Sequence, residues 1–290
     1  MDRPRFIISA AEAQSMASSS ALTLPNLLPS LVASARTLAR PPISNFHVAA
    51  VGLGSSGRVF IGVNIEFPGL PLHHSIHAEQ FLIINLLLNN EPDLLSFAVS
   101  AAPCGHCRQF LQELRNPQNI DILIADNSDK QEFTPLSHFL PHRFGPHDLL
   151  PEDSPLLLER HHNRLTLVTD ASNRFCNGDV KLLDAALEGA NESHAPYSEC
   201  PSAVALVDCG GKTYKGCYVE SAAFNPSLGP VQAALVAFVA GGGGDYDRIV
   251  GAVLVEKEGA NIKQEETARL LLRSISPKCH FETFHCTSHP

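Results

Sequence analysis

The sequence predicts an α/β fold made twice: a mixed β-sheet flanked by helices, an αβα sandwich, followed by a second copy of the same unit. Three observations predict it. From Phe46 to Ala125 the apolar periodicity reads β-β-α-β-α-β. The same order returns from Ala203 to Phe284. Gly62 and Gly216 stand 154 positions apart in matched strand contexts, and Glu66 and Glu220 share that spacing, as an internal duplication requires.

The elements follow in order. Ser9-Ala10-Ala11-Glu12 is a capping-box pattern that opens a helix to about Met16. Pro25 and Pro29 break the next stretch, and a helix is expected from Ser30 to Ala39, closed by Pro41-Pro42. Residues 1–42 thus read as a helical lead-in. Val48–Leu53 and Val59–Ile65 alternate as strands around a Gly54-Ser55-Ser56-Gly57 turn. An apolar helix through Leu88, a strand at Leu94–Ala101, a helix from Cys104 to about Arg115 and a strand at Ile120–Ala125 complete the first copy. The Pro-, His- and Asp-rich residues from Asp126 to about Pro155 form a connector, which ends the catalytic unit near 160.

The second unit occupies 161–290. It is expected to hold a helix within Thr169–Ala190, strands at Ala203–Asp208 and Thr213–Val219 around a Cys209–Lys212 turn, and a helix at Pro230–Ala240. A strand at Ile249–Val255, a helix at Glu265–Ser274 and a strand at Phe281–Phe284 follow.

The chemistry concentrates between His77 and Cys107. His77-Ala78-Glu79 opens one helix, and Pro103-Cys104-Gly105-His106-Cys107 opens the next. One imidazole and two thiolates give zinc three protein ligands and leave its fourth position open, the catalytic rather than the structural pattern. A helix N-terminus favours the thiolate form that a metal requires. Zinc lowers the pKa of bound water from about 15.7 toward about 7. Glu79, two residues from His77, is placed to carry protons rather than to bind metal. A redox pair would explain Cys104 and Cys107, and a structural zinc site would explain the ligands, but neither needs Glu79. His73 and His74 read as loop residues, because the ligand set is complete without them.

In the second copy the sequence aligns Val231-Gln232-Ala233-Ala234 with Ile76-His77-Ala78-Glu79, and no Cys pair follows the Ile249–Val255 strand. The second copy is therefore expected to be catalytically dead, and the chain to carry one zinc.

Composition excludes other classes. At 44% apolar residues the chain can build ordinary cores, and no uninterrupted apolar run of about 18 residues exists to span a membrane. Formal net charge is −9, from 21 basic and 30 acidic side chains, which suits a polynucleotide partner poorly because phosphate neutralisation supplies most non-specific affinity. With no signal-peptide pattern the eight cysteines are read as unpaired. Asp2 and Glu12 argue against a transit peptide, although Gln14–Arg40 is Ser-rich and free of acids, and the cytoplasm is the expected location.

The H-x-E and P-C-x-x-C motifs form the signature of zinc nucleobase deaminases. Over roughly residues 25–285 the chain resembles the long, two-copy, homodimeric cytidine deaminases. The resemblance implies that His77, Cys104 and Cys107 hold zinc and that Glu79 shuttles protons. It further implies that Asn64 and Glu66 of Asn64-Ile65-Glu66-Phe67 take the sugar hydroxyls and that Phe46 packs on the pyrimidine. The Ala78 amide would meet the pyrimidine O2 and the Ala102 carbonyl the leaving amine. Ala102 is a departure, since Thr often precedes this Pro in relatives, but only its backbone is used. Phe144 of Arg143-Phe144-Gly145-Pro146 would reach the site of the partner subunit.

Alternation along a strand independently puts Asn64 and Glu66 on one face, where an amide and a carboxylate suit a neutral sugar. The expected activity is deamination of cytidine and 2'-deoxycytidine in pyrimidine salvage. The alternatives are a cytosine deaminase acting on RNA or single-stranded DNA, disfavoured by charge, and a dCMP deaminase, which would need a basic phosphate pocket.

Overall fold

The centre of the first sheet is β2 (Ala49–Gly54), buried along its whole length, with β3 (Val59–Val63) antiparallel on one side and β4 (Leu94–Val99) antiparallel on the other. β5 (Asp121–Ile124) continues parallel to β4, which makes the sheet mixed. The edges are short: β1 (Ile7–Ile8) pairs with β3, and β6 (Thr134–Pro135) pairs with β5. The computed structural model describes residues 5–125, 132–168 and 177–288. It divides into two units, Met1–Glu159 with Ser221–Pro226, and Arg160–Glu220 with Ser227–Pro290. The helical lead-in counts with the first unit.

In that first unit, α1 (Ala10–Ser19) is capped by the Ser9 hydroxyl, which accepts from the Glu12 amide at 3.3 Å. α2 (Leu24–Ala35) packs on β2 and β4, and α3 (Ala78–Leu88) packs on β3 and β2. α4 (Gly105–Phe110) follows β4, and α5 (Leu136–Phe139) follows β6.

The sequence reading of α2 needs correction. The helix does not begin at Ser30; it runs from Leu24 straight through Pro29 to Ala35 and ends in a 3-10 turn at Arg36–Leu38. Pro25 sits in the first turn, where no donor is needed. Burial of Leu27, Leu28, Val32 and Ala35 outweighs the one backbone bond lost at Pro29.

In the second unit β8 (Ser202–Asp208) pairs antiparallel with β9 (Thr213–Cys217) and with β10 (Ile249–Lys257). β11 (His280–Ser288) runs parallel to β10, and β7 (Leu165–Leu167) caps that edge. The helices are α6 (Asn177–Asn191), α7 (Pro230–Ala240) and α8 (Glu265–Ile275). Part of the stretch expected to hold α6, residues 169–176, lies outside the described residues. The strand order β3-β2-β4-β5 of the first sheet recurs as β9-β8-β10-β11 in the second.

One packing point is the same in both units. A Cβ on Gly62 would lie 2.2 Å from the Ala78 carbonyl and 2.4 Å from the Leu82 amide. A Cβ on Gly216 would lie 2.0 Å from the Ala234 amide. Each strand lets a helix start cross it at van der Waals contact, which no side chain permits. This landmark also corrects the alignment of the copies. Leu82 matches Ala234, and the bridges Ile65–Ile76 and Val219–Leu228 match each other. His77, the N-cap of α3, therefore corresponds to Gly229, the N-cap of α7, with Pro230 and Val231 opposite Ala78 and Glu79. The loop into the helix is two residues shorter in the second unit, from Glu220 to Gly229 against Glu66 to His77, a gap that apolar periodicity does not register.

Candidate active site

Two helix starts converge at the end of the first sheet. His77 is the N-cap of α3 and Cys104 the N-cap of α4, both with extended backbone, and Cys107 lies one turn into α4, fully buried. His77 Nδ1 stands 3.5 Å from Cys104 Sγ and 3.3 Å from Cys107 Sγ, and the two sulfurs are 3.6 Å apart. Tetrahedral zinc with Zn–S of about 2.3 Å and Zn–N of about 2.0–2.1 Å spaces its ligand atoms by about 3.5–3.8 Å. The triangle fits zinc.

A ring nitrogen of His106 also lies within 4.8 Å of ligand atoms on His77 and Cys107. Cys104 makes the tighter set. His106 instead turns Nε2 to the Asn225 carbonyl at 3.2 Å. The Cys104 thiol is pushed down to about 3, chiefly by the hydrogen bond with Cys107 and then by that with His77, a shift toward the thiolate form that a metal binds. The contact with the Cys104 sulfur, and then burial, push the Cys107 thiol up.

Glu79 is buried at 4% exposure beside the ligands, and its Oε2 accepts from Cys107 Sγ at 3.3 Å. Burial raises its carboxyl above the ordinary value. The Arg108 guanidinium braces the Cys104 turn by donating to the Pro103 carbonyl at 2.7 Å and the Phe139 carbonyl at 3.1 Å.

A cavity of about 480 Å³ opens from this corner. Of the ten site residues expected from sequence, eight line it: Phe46, Asn64, Glu66, His77, Ala78, Glu79, Ala102 and Cys104. Cys107 lies behind His77 and Cys104. Phe144 is not among the lining residues; its ring is 43% exposed, and its carbonyl accepts from Gln109 Nε2 at 2.6 Å.

At the cavity mouth Asn64 and Glu66 are already engaged with their own chain. Asn64 Oδ1 accepts from the Val48 amide and its Nδ2 donates to the Phe46 carbonyl, both at 2.9 Å. Glu66 Oε2 accepts from the amides of Ile43 at 2.8 Å and Ser44 at 2.9 Å, and Oε1 from the Ser44 hydroxyl at 2.5 Å. Burial pushes the Glu66 carboxyl up, but these Ser44 and Ile43 bonds prevail and hold it below its ordinary value.

Sequence reasoning missed the supports of the site. Gln80 Oε1 accepts from the His77 amide at 3.3 Å, and its Nε2 donates to the Pro226 carbonyl at 3.1 Å. Glu113, fully buried, accepts from the Ala222 amide at 2.8 Å. With His106, they fasten the segment Ser221–Pro226 of the first unit, which holds Phe224 at φ 61° and 67% exposed. The available signal was Gln80, a polar residue in the first turn of the otherwise apolar α3.

Fold and site together define a zinc-dependent hydrolase of the deaminase type. The family model described as the cytidine and deoxycytidylate deaminase zinc-binding region matches twice, at residues 26–122 and 136–269. Cytidine deaminase 1 of Arabidopsis thaliana is 61% identical over 99% of this chain and 99% of its own. Cytidine deaminase 6 of the same plant is 53% identical over 90% of this chain and 92% of its own. The chain belongs to the cytidine and deoxycytidylate deaminase family. A further relative, 40% identical over 97% of this chain and 96% of its own, bears the name probable inactive cytidine deaminase 4.

Proposed function

We propose that the chain is a hydrolase that converts cytidine and 2'-deoxycytidine, with water, to uridine and 2'-deoxyuridine plus ammonia. The observation that carries this reading is one cavity with the His77–Cys104–Cys107 triangle and buried Glu79 at its floor and Asn64 with Glu66 at its mouth. His77, Cys104 and Cys107 would hold zinc, which acidifies the water that attacks C4 of the ring. Glu79 takes one proton of that water and passes it to N3, then takes the proton of the new C4 hydroxyl and delivers it to the departing amine. The Ala78 amide donates to the pyrimidine O2, and the Ala102 carbonyl accepts from the amine. Phe46 packs on the ring, and Asn64 and Glu66 bind the sugar.

Among the described residues no Arg or Lys lines the cavity, which disfavours a nucleotide phosphate and hence dCMP or a polynucleotide. We read the second unit as catalytically silent, because Gly229, Pro230 and Val231 carry no ligating atom. We read the active form as a homodimer in which Phe144 of one copy closes the other's cavity; its exposure and its place outside its own cavity support this. Free thiols among the described residues support the cytoplasm as its location, and the nucleoside substrates make salvage of pyrimidine nucleosides the role we propose.

Ammonia release from cytidine, deoxycytidine, CMP, dCMP and cytosine-containing oligonucleotides tests the reading. Turnover of the two nucleosides is expected. Turnover of dCMP or oligonucleotides in their place would overturn it.

A further inference from the structure

The loop Ile43–Val48 is strung on two side chains. Glu66 binds the amides of Ile43 and Ser44 and the Ser44 hydroxyl, and the Ser44 hydroxyl in turn accepts from the Phe46 amide at 3.0 Å. Asn64 holds the Phe46 carbonyl and the Val48 amide. A carboxylate has about four acceptor positions. Both on Oε2 are taken, and one on Oε1 remains. Of the two Asn64 N–H donors one is taken and one remains. A single sugar hydroxyl, which donates once and accepts, matches that remainder.

The second unit repeats half of this arrangement. Glu220 Oε2 accepts from the amides of Tyr197 at 2.8 Å and Ser198 at 3.1 Å, its Oε1 accepts from the Ser198 hydroxyl, and that hydroxyl accepts from the Cys200 amide at 3.1 Å. Where the first unit has Asn64, the second has Tyr218, which offers no amide. The Ser–Glu clamp is thus part of the fold, and the addition of Asn64 turns it outward to a ligand.

We infer that Ser44 is a positioning residue for nucleoside recognition: its hydroxyl fixes the plane of the Glu66 carboxylate so that one acceptor on Oε1 stands free beside the free N–H of Asn64. Ser44 lines the cavity but is remote in sequence and role from the metal ligands and Glu79. Without its hydroxyl, Oε1 loses its only protein donor and the Phe46 amide loses its acceptor. The carboxylate then turns about the Oε2 bonds, and selectivity for a sugar hydroxyl falls while the chemical step does not. The inference rests on the nucleoside reading above.

The test is steady-state kinetics of the zinc-loaded full chain with cytidine and 2',3'-dideoxycytidine, for the parent, Ser44→Ala, Ser44→Thr, Ser44→Cys and Ser198→Ala. Ser44→Ala is expected to raise KM for cytidine about tenfold, the size of one net hydrogen bond, with kcat within about threefold. The preference for cytidine over the dideoxy analogue should shrink by the same factor. Ser44→Thr keeps the hydroxyl and should restore both values, and Ser44→Cys, a weak donor, should fall between. Ser198→Ala should move neither KM nor the preference. A parent that turns over cytidine, with Ser44→Ala or Ser44→Cys leaving the preference unchanged, overturns this inference alone. A loss of kcat equal for both substrates also overturns it. A parent inert toward cytidine overturns the nucleoside reading and this inference together.

Discussion

The two units share a sheet order, a glycine under each crossing helix and a Ser–Glu clamp, yet differ at the one corner where chemistry is possible. Gly62 and Gly216 each admit a helix start against backbone. Glu66 and Glu220 each bind two amides and a serine hydroxyl of the loop before the first long strand. The N-caps then diverge, His77 against Gly229, and the loop into the helix loses two residues. What both units retain is what the fold requires. What the first alone has, namely the His77–Cys104–Cys107 set, Glu79 and Asn64, is what the proposed reaction requires. Glu66 belongs to both groups: it is a structural clamp whose one spare acceptor we propose meets the sugar.

The largest effect expected from this contrast falls on Glu79. Glu79→Gln should lower kcat by about 10²–10⁴-fold or more, since positioned proton transfer contributes that much. Zinc content should be unchanged, because the three ligand atoms are untouched. Turnover within threefold of the parent, measured as ammonia release, would break the division between chemistry and scaffold.

A smaller loss is expected for Phe144→Ala, and it sharpens the question of why a copy without the first unit's ligand set persists. If Phe144 serves the partner's cavity, mixing Glu79→Gln with Phe144→Ala chains should regain activity, up to one working site per dimer. If each cavity is complete within one chain, every site in the mixture carries a lesion and no activity returns. Assays of refolded mixtures against unmixed controls distinguish the two.

The smallest effect concerns the hairpin turns, where the units use different devices. The first turn is held from outside by buried Glu91, which accepts from the Ser56 amide at 2.8 Å and from Arg58 at 2.7 Å. The second is held from within by Asp208, which accepts from the Gly210 amide at 2.9 Å and the Tyr214 hydroxyl at 2.8 Å. Burial raises the Glu91 carboxyl, but the Ser56 and Arg58 bonds outweigh it and leave it below its ordinary value. A depressed carboxyl stabilises the fold above its unfolded pKa of about 4.3, and that contribution is lost as pH falls through the folded value. Glu91→Gln should therefore cost about 2–3 kcal/mol at neutral pH in urea unfolding, and the gap to the parent should close below about pH 4. A gap that persists undiminished at low pH would contradict the ionic role of Glu91.

The convergence of His77, Cys104, Cys107 and Glu79, and the duplication, were legible because each leaves a local mark: fixed spacings at helix starts and paired residues 154 apart. The Pro29 helix was not, because packing of Leu28 and Val32 decides it and no local rule expresses that. Edge strands β1, β6 and β7 span two or three residues each and exist only through distant pairing. The register of the copies slipped at α7 by three positions, Gln232 for Gly229 opposite His77, because a shift of nearly one helical turn leaves the apolar period intact. The clamp had a sequence trace, a Pro-x-Ser at 42–44 and again at 196–198, but its meaning required seeing the serine meet the glutamate.

The central claim, that one unit carries the chemistry and the other only the fold, is tested most directly by counting zinc. Elemental analysis of the purified chain should give one zinc per polypeptide, and Cys104→Ala with Cys107→Ala should bring it to zero while the fold, followed by circular dichroism, is kept. Two zinc ions per chain, or one that survives loss of both cysteines, would contradict the account.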